Sequence, residues 1–142
     1  MRATKWYLAL SFGLLLMVAS ACHVSFTTAN ISSLKLGKDK SVSQPTASFA
    51  STDTIYAVAV ISNAPGALKV KGRLIVDAVE GQKSGPVPGM ETTVDLTGSG
   101  QATFTFSPPT AGWPKGSYKV EVLMLESDGE QKDQKTANFS VS

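Results

Sequence analysis

Cysteine is almost missing from this chain: Cys22 is the only one in 142 residues. No internal disulfide can staple the fold, and a thiolate zinc site has no ligands to draw on. Histidine is just as scarce, since His23 is the only one. Everything beyond it lacks the commonest general base, which argues against serine–histidine and cysteine–histidine catalysis in the body of the protein. An excess of one charge is missing too. Thirteen Lys and Arg stand against eleven Asp and Glu, and two of the bases, Arg2 and Lys5, fall in the first 21 residues, which contain no acid. From residue 22 onward the formal net charge is 0. Nonspecific nucleic-acid binding needs clustered positive charge to displace counterions, so nucleic acid is not an expected partner.

Long apolar runs are absent except for one, Trp6 to Ala21. Its 16 residues fall short of the roughly 20 that span a hydrocarbon core. It follows the positive end made by Arg2 and Lys5, closes on the small residues Ala19-Ser20-Ala21, and has no stop-transfer cluster behind it. These are the parts of a cleavable signal rather than of a membrane anchor. A plain secretory signal would leave Cys22 as a lone thiol in an oxidising compartment, which needs a reason. The order of positive end, apolar middle, small residues and cysteine resembles a bacterial lipoprotein signal peptide with its lipobox, although Ala19 stands where leucine is commonest. The resemblance implies that Cys22 carries a diacylglyceryl group and, after cleavage, an acylated amino terminus. It divides the chain into a signal peptide (1–21), a lipidated tether (22–30) and a folded body (31–142). Membrane lipid, reached through Cys22, is the first expected partner. The expected location is the bacterial cell membrane or outer membrane, facing the periplasm or exterior. His23 replaces the aspartate that commonly holds such proteins at the inner membrane, which leans toward the outer one.

Helical periodicity is absent from the body. What is there alternates with period two and breaks at Gly, Pro and Asp turns. Ile31, Leu34 and Leu36 mark a first strand, and 46–50 a short edge strand. Thr54–Ser62 is apolar nearly throughout, as a central strand would be. In Lys69–Val79, Val70, Gly72, Leu74, Val76 and Ala78 take one face and the charged residues the other. Gly81–Gly89, with Pro86 and Pro88, reads as a loop. Met90–Leu96 and Ala102–Phe106 flank Thr97-Gly98-Ser99-Gly100 and read as a hairpin, which Pro108-Pro109 ends. Tyr118–Glu126 and a strand through Ala137, Phe139 and Val141 close the chain. The spacing predicts an all-β protein: an antiparallel, immunoglobulin-like β-sandwich of about seven strands, without the usual inter-sheet disulfide. A barrel is the competing architecture.

The segments Asp53–Ala57, Gly112-Trp113-Pro114-Lys115-Gly116-Ser117-Tyr118-Lys119-Val120 and Ala137–Val141 resemble those of small immunoglobulin-like modules of bacterial envelope proteins. More loosely, they are similar to the BsuPI-type proteinase inhibitor fold. The resemblance implies a fold and brings no catalytic residues with it. Trp113 and Tyr118 are the candidate binding pair if exposed, and otherwise close one end of the core.

No catalytic residue, metal site or cofactor is expected. Glu126, Asp128 and Glu130 hint at a calcium loop but lack its ligand spacing, and a solvated turn accounts for them. Lys69, Lys71 and Arg73 share one strand face, which a solvated surface explains better than an anionic ligand. The expected function is a non-enzymatic binding or assembly module on an anchored envelope protein, with another envelope protein as partner. The alternatives are a tethered protease inhibitor presenting Gly81–Gly89 and a carbohydrate-binding module using Trp113.

Overall fold

The computed structural model describes residues 28–142. Cys22, His23 and the proposed signal peptide lie outside the described residues. The described residues form no helix, and eight strands follow one another: β1 (Asn30–Gly37), β2 (Ser48–Phe49), β3 (Ile55–Ser62), β4 (Leu68–Val79), β5 (Gly85–Leu96), β6 (Gly100–Phe106), β7 (Gly116–Glu126) and β8 (Gln131–Val141). They build two sheets, β1-β3-β6 and β2-β8-β7-β4-β5. All pairings are antiparallel except β2 with β8, where Ser48 and Phe49 run parallel to Ser140 and Val141.

The alternation read from the sequence decides which face is inward. Along β4, Leu68, Val70, Leu74 and Val76 are buried, while Lys69, Lys71 and Arg73 point out toward Asp95, Glu91 and Glu121. The register with β7 shifts between Val76 and Ala78, so that Val79 is buried and Ala78 exposed. Val120, Val122 and Met124 of β7 meet Ile55, Ala57, Ala59 and Ile61 of β3 in one continuous core, with Phe104 and Phe106 of β6. β6 stacks directly over β4: a Cβ on Gly72 would lie 2.6 Å from the ring of Phe104. Glycine is required there because the aromatic ring takes the space of a side chain.

In immunoglobulin terms β1, β3 and β6 are strands A, B and E, and β4, β7 and β8 are C, F and G. Tyr118, near the start of the F strand, donates its hydroxyl to the carbonyl of Pro114 at 2.6 Å. This is the tyrosine corner of that architecture. The expected immunoglobulin-like sandwich is therefore the observed one, with eight strands.

Two expectations are corrected. Met90–Leu96 and Ala102–Phe106 are neighbours in sequence but do not pair as a hairpin. β5 pairs with β4 and β6 with β3, so the turn at 97–99 carries the chain from one sheet to the other. Both strands alternate because each lines the same core from opposite sides. The second correction concerns Gly81–Gly89. Gly85 and Pro86 already pair with Val76 and Ile75, and only residues 80–84 form the turn. β5 is an outer strand, where a proline costs no ladder bond on its free side.

Candidate functional site

The sheets are unequal, and the inequality creates a cleft. β1 lies against β8 and β6 over β4. β5, beyond β4, therefore projects past the edge of the three-stranded sheet. Its inward residues Val87, Met90, Val94 and Leu96 pack against the core but remain half-buried. In the constant-type immunoglobulin arrangement a D strand lies beside E. Here the corresponding segment, β5, has joined C instead. Among the described residues no strand pairs with the outer edge of β6.

At one end the cleft deepens into a pocket of about 310 Å³, bounded by Val87 and Met90, by Val76 and Tyr118, and by the 109–114 loop. The register between β4 and β5 breaks between Arg73 and Ile75, and residues 87–90 bow out from β4 to form the outer wall. The loop on the other side is fixed by backbone bonds. The amide of Gly112 donates to Pro109 at 2.8 Å and that of Trp113 to Ser51 at 2.7 Å. Gly112 has φ +83, a left-handed conformation that a side chain resists.

Trp113 and Tyr118 are both deeply buried, at 4% and 2% exposure. The indole Nε1 donates to the carbonyl of Asp53 at 2.7 Å. The two rings meet edge to face at 6.4 Å, and Tyr118 stacks on Phe139 at 5.3 Å. Burial pushes the Tyr118 hydroxyl above its ordinary pKa. They are core residues that wall the pocket and not an exposed aromatic platform, so the carbohydrate reading that needed Trp113 on the surface loses its basis. Of Gly81–Gly89, the loop the inhibitor reading relies on, residues 85–89 belong to β5.

The basic residues on the outer face of β4 each have an acidic partner. Lys69 reaches Asp95 at 3.1 Å and Lys71 reaches Glu91 at 3.4 Å. Arg73 donates to Oε1 of Glu121 through Nε at 2.9 Å and through a second nitrogen. The basic face of β4 is thus neutralised by its neighbours. One carboxylate oxygen each of Glu126, Asp128 and Glu130 falls within 4.8 Å of the others. Lys132 already supplies the cation: its Nζ lies 3.2 Å from Glu130 and 3.9 Å from Glu126. Glu130 foremost holds the lysine above its ordinary pKa. The turn is a solvated ion-pair network.

The cleft contains none of these charges. Its deep end borders on the 109–114 loop and the β4–β5 turn. The described chain enters the sandwich at the other pole, where Thr28 donates to the carbonyl of Asn63 and Ala29 lines a separate pocket with the β3–β4 and β7–β8 turns. The sequence singled out the aromatic pair but gave no sign of the cleft. It depends on β5 and β6 joining opposite sheets although they follow one another in the chain, and its residues alternate like those of any half-buried strand.

No protein-family model matches the chain, and no curated protein matches it. Several solved structures are similar to the chain at low identity. A Niemann-Pick type C2 protein from the Japanese carpenter ant is 12% identical, with 85% of this chain and 96% of that one covered and a TM-score of 0.49. The soluble domain of PmoD from a Methylocystis species is 16% identical over 84% and 94%, with a TM-score of 0.46. A β-glucosidase involved in saponin metabolism from intestinal bacteria is 21% identical over 84% of this chain and 17% of the enzyme, with a TM-score of 0.48. Likenesses this distant bear on neither family nor function.

Proposed function

We propose that this chain is a lipid-anchored protein of the bacterial envelope whose β-sandwich is a non-enzymatic binding module. The observation that carries it is the placement of Cys22, the only cysteine, directly behind an apolar, small-residue-ended run with Arg2 and Lys5 ahead of it. Acylation gives that thiol a function. One chain binds a bilayer marginally, at ~0.8 kcal/mol per buried methylene, and two or more anchor it durably. The make-up of the body supports the second half of the reading. Beyond His23 it has no histidine or cysteine, and Glu91, Asp95, Glu121, Glu126 and Glu130 are engaged by lysine or arginine. The pocket of about 310 Å³ at the end of the cleft is walled mainly by apolar side chains.

The test is the Cys22→Ala variant, followed by membrane fractionation and intact-mass analysis. The wild-type chain is expected to begin at an acylated Cys22 and to sediment with membranes, and the variant to lose both properties. A natural chain that begins elsewhere with an unmodified thiol would refute the anchored reading.

A further inference from the structure

Four sheet edges are open to a fourth party in a sandwich of this kind, and three are blunted here by separate devices. β2 is only two residues long. β5 carries Pro86 and Pro88 and bows away at 87–90. β1 is capped by side chains: the amide of Ile31 donates to Asp133 Oδ2 at 2.8 Å, and Lys135 Nζ donates to the carbonyl of Ile31 at 3.4 Å. β6, Gly-Gln-Ala-Thr-Phe-Thr-Phe, has no proline, no charge and no bulge against its partner β3. It is also the edge beside which β5 lays a half-buried apolar floor.

We infer that the cleft between β6 and β5 binds an extended, uncharged segment of a partner polypeptide, which adds a strand to the three-stranded sheet in the D position. This deepens the binding-module reading and rests on it. Backbone groups along β6 would give the pairing, and alternate apolar side chains would cover Val94, Met90 and Val87, one of them entering the pocket under Trp113. The chemistry of the occupant follows from the charge of its site. Gln101, Thr103 and Thr105 line the outer face of β6, and Thr92 is the polar residue on the floor. A charged inward side chain would be desolvated there without a counterion. A second copy does not fit. Since β6 stacks on β4, a two-fold β6–β6 pairing would drive the second copy's β4 into the place of β5. β1, where the described strands begin, forms the opposite edge of the same sheet.

The test uses three end-capped octapeptides in which threonine alternates with valine, leucine or phenylalanine. Each is titrated into the full mature chain, held in lipid nanodiscs if acylated and free in solution if not. Failure of the anchor and failure of the cleft then show in different measurements. Saturable binding of at least one peptide is expected, with amide-exchange protection arising within residues 100–106. N-methylation of alternate residues on the pairing edge should weaken that binding at least about tenfold. Val94→Lys should weaken it by a similar factor while leaving the melting temperature nearly unchanged, and Val87→Glu serves the same purpose if that variant does not fold. The proposal is overturned if none of the three peptides binds. It also fails if the N-methylated form binds equally well, which would make the cleft a nonspecific apolar sink, or if neither variant affects binding. Self-association of the chain that Val94→Lys abolishes would assign the cleft to a second copy and overturn it as well.

Discussion

At the scale of single residues, Trp113 shows how a loop is held by the core rather than by its own sequence. Its ring is buried, its indole donates to Asp53 and its amide donates to Ser51. Trp113→Ala is expected to cost about 3–5 kcal/mol through the cavity it leaves, and Trp113→Phe only about 1–2 kcal/mol for the orphaned carbonyl; urea unfolding midpoints would separate the two. Asp53 adds a pH dependence. Its carboxylate accepts the amide of Ala50 at 2.8 Å and faces Lys38 at 3.1 Å, and these contacts, the amide first, hold it below the ordinary value of 3.8. A carboxyl depressed in the folded state stabilises above its unfolded pKa, and that stabilisation is lost as the pH falls through the folded value. Melting temperature should therefore decline on acidification below 3.8, and the decline should be shallower in Asp53→Asn. The sequence marked Trp113 and Tyr118 as a pair, because the turn residues around them are distinctive. It did not indicate which carbonyls they would bond, since Asp53 lies 60 residues from Trp113.

At the scale of elements, period-two alternation was enough to place nearly every strand, and even the two-residue β2 fell inside the short edge strand expected at 46–50. Sheet membership was not legible. Residues on both sheets of a sandwich alternate in the same way, so β5 and β6 looked like partners although they belong to opposite layers. The caps on β1 were equally hidden, because Asp133 and Lys135 act across more than a hundred residues of chain. Removing Asp133 by Asp133→Ala leaves the Ile31 amide without its acceptor. A loss of about 1–2 kcal/mol is expected, with faster amide exchange at Ile31 than elsewhere in β1. The contact of Gly72 with Phe104 is a second element-level device. Gly72→Ala forces a methyl group into the ring and should cost about 1–3 kcal/mol. In a double-mutant cycle with Phe104→Leu, which shrinks the ring, the combined loss should be smaller than the sum of the two single losses. Additive losses would show that the strands shift apart instead.

At the scale of the whole molecule, the two poles of the sandwich have different neighbours. The described chain enters beside the β3–β4 and β7–β8 turns, while the deep end of the cleft lies by the 109–114 loop. An anchor attached through Cys22 would join the described body at the pole opposite the cleft's deep end. Tethering the purified body to vesicles through a maleimide lipid on a cysteine introduced at Ala111 of a Cys22→Ala chain should leave the fold intact and hide the cleft, whereas tethering through Cys22 should leave it open. Amide exchange at residues 87–90 in the two tethered forms would report the difference. The neutrality of the body was legible from composition and its all-strand character from the period-two alternation. The offset between three strands and five was not, because it depends on which sheet the chain rejoins after each turn.

The position of β8 has a consequence for how such a body comes into being. It lies between β7 and β2 and also supplies the side chains that finish β1. A polypeptide emerging amino terminus first thus presents β2 without its partner strand, and β1 without the side chains that cap Ile31, until β8 arrives. Contacts of such long sequence separation make for slow, late closure. A chain cut short before Gln131 is therefore expected to leave β2 unpaired and the Ile31 amide uncapped, and to lose the cooperative melting of the full body.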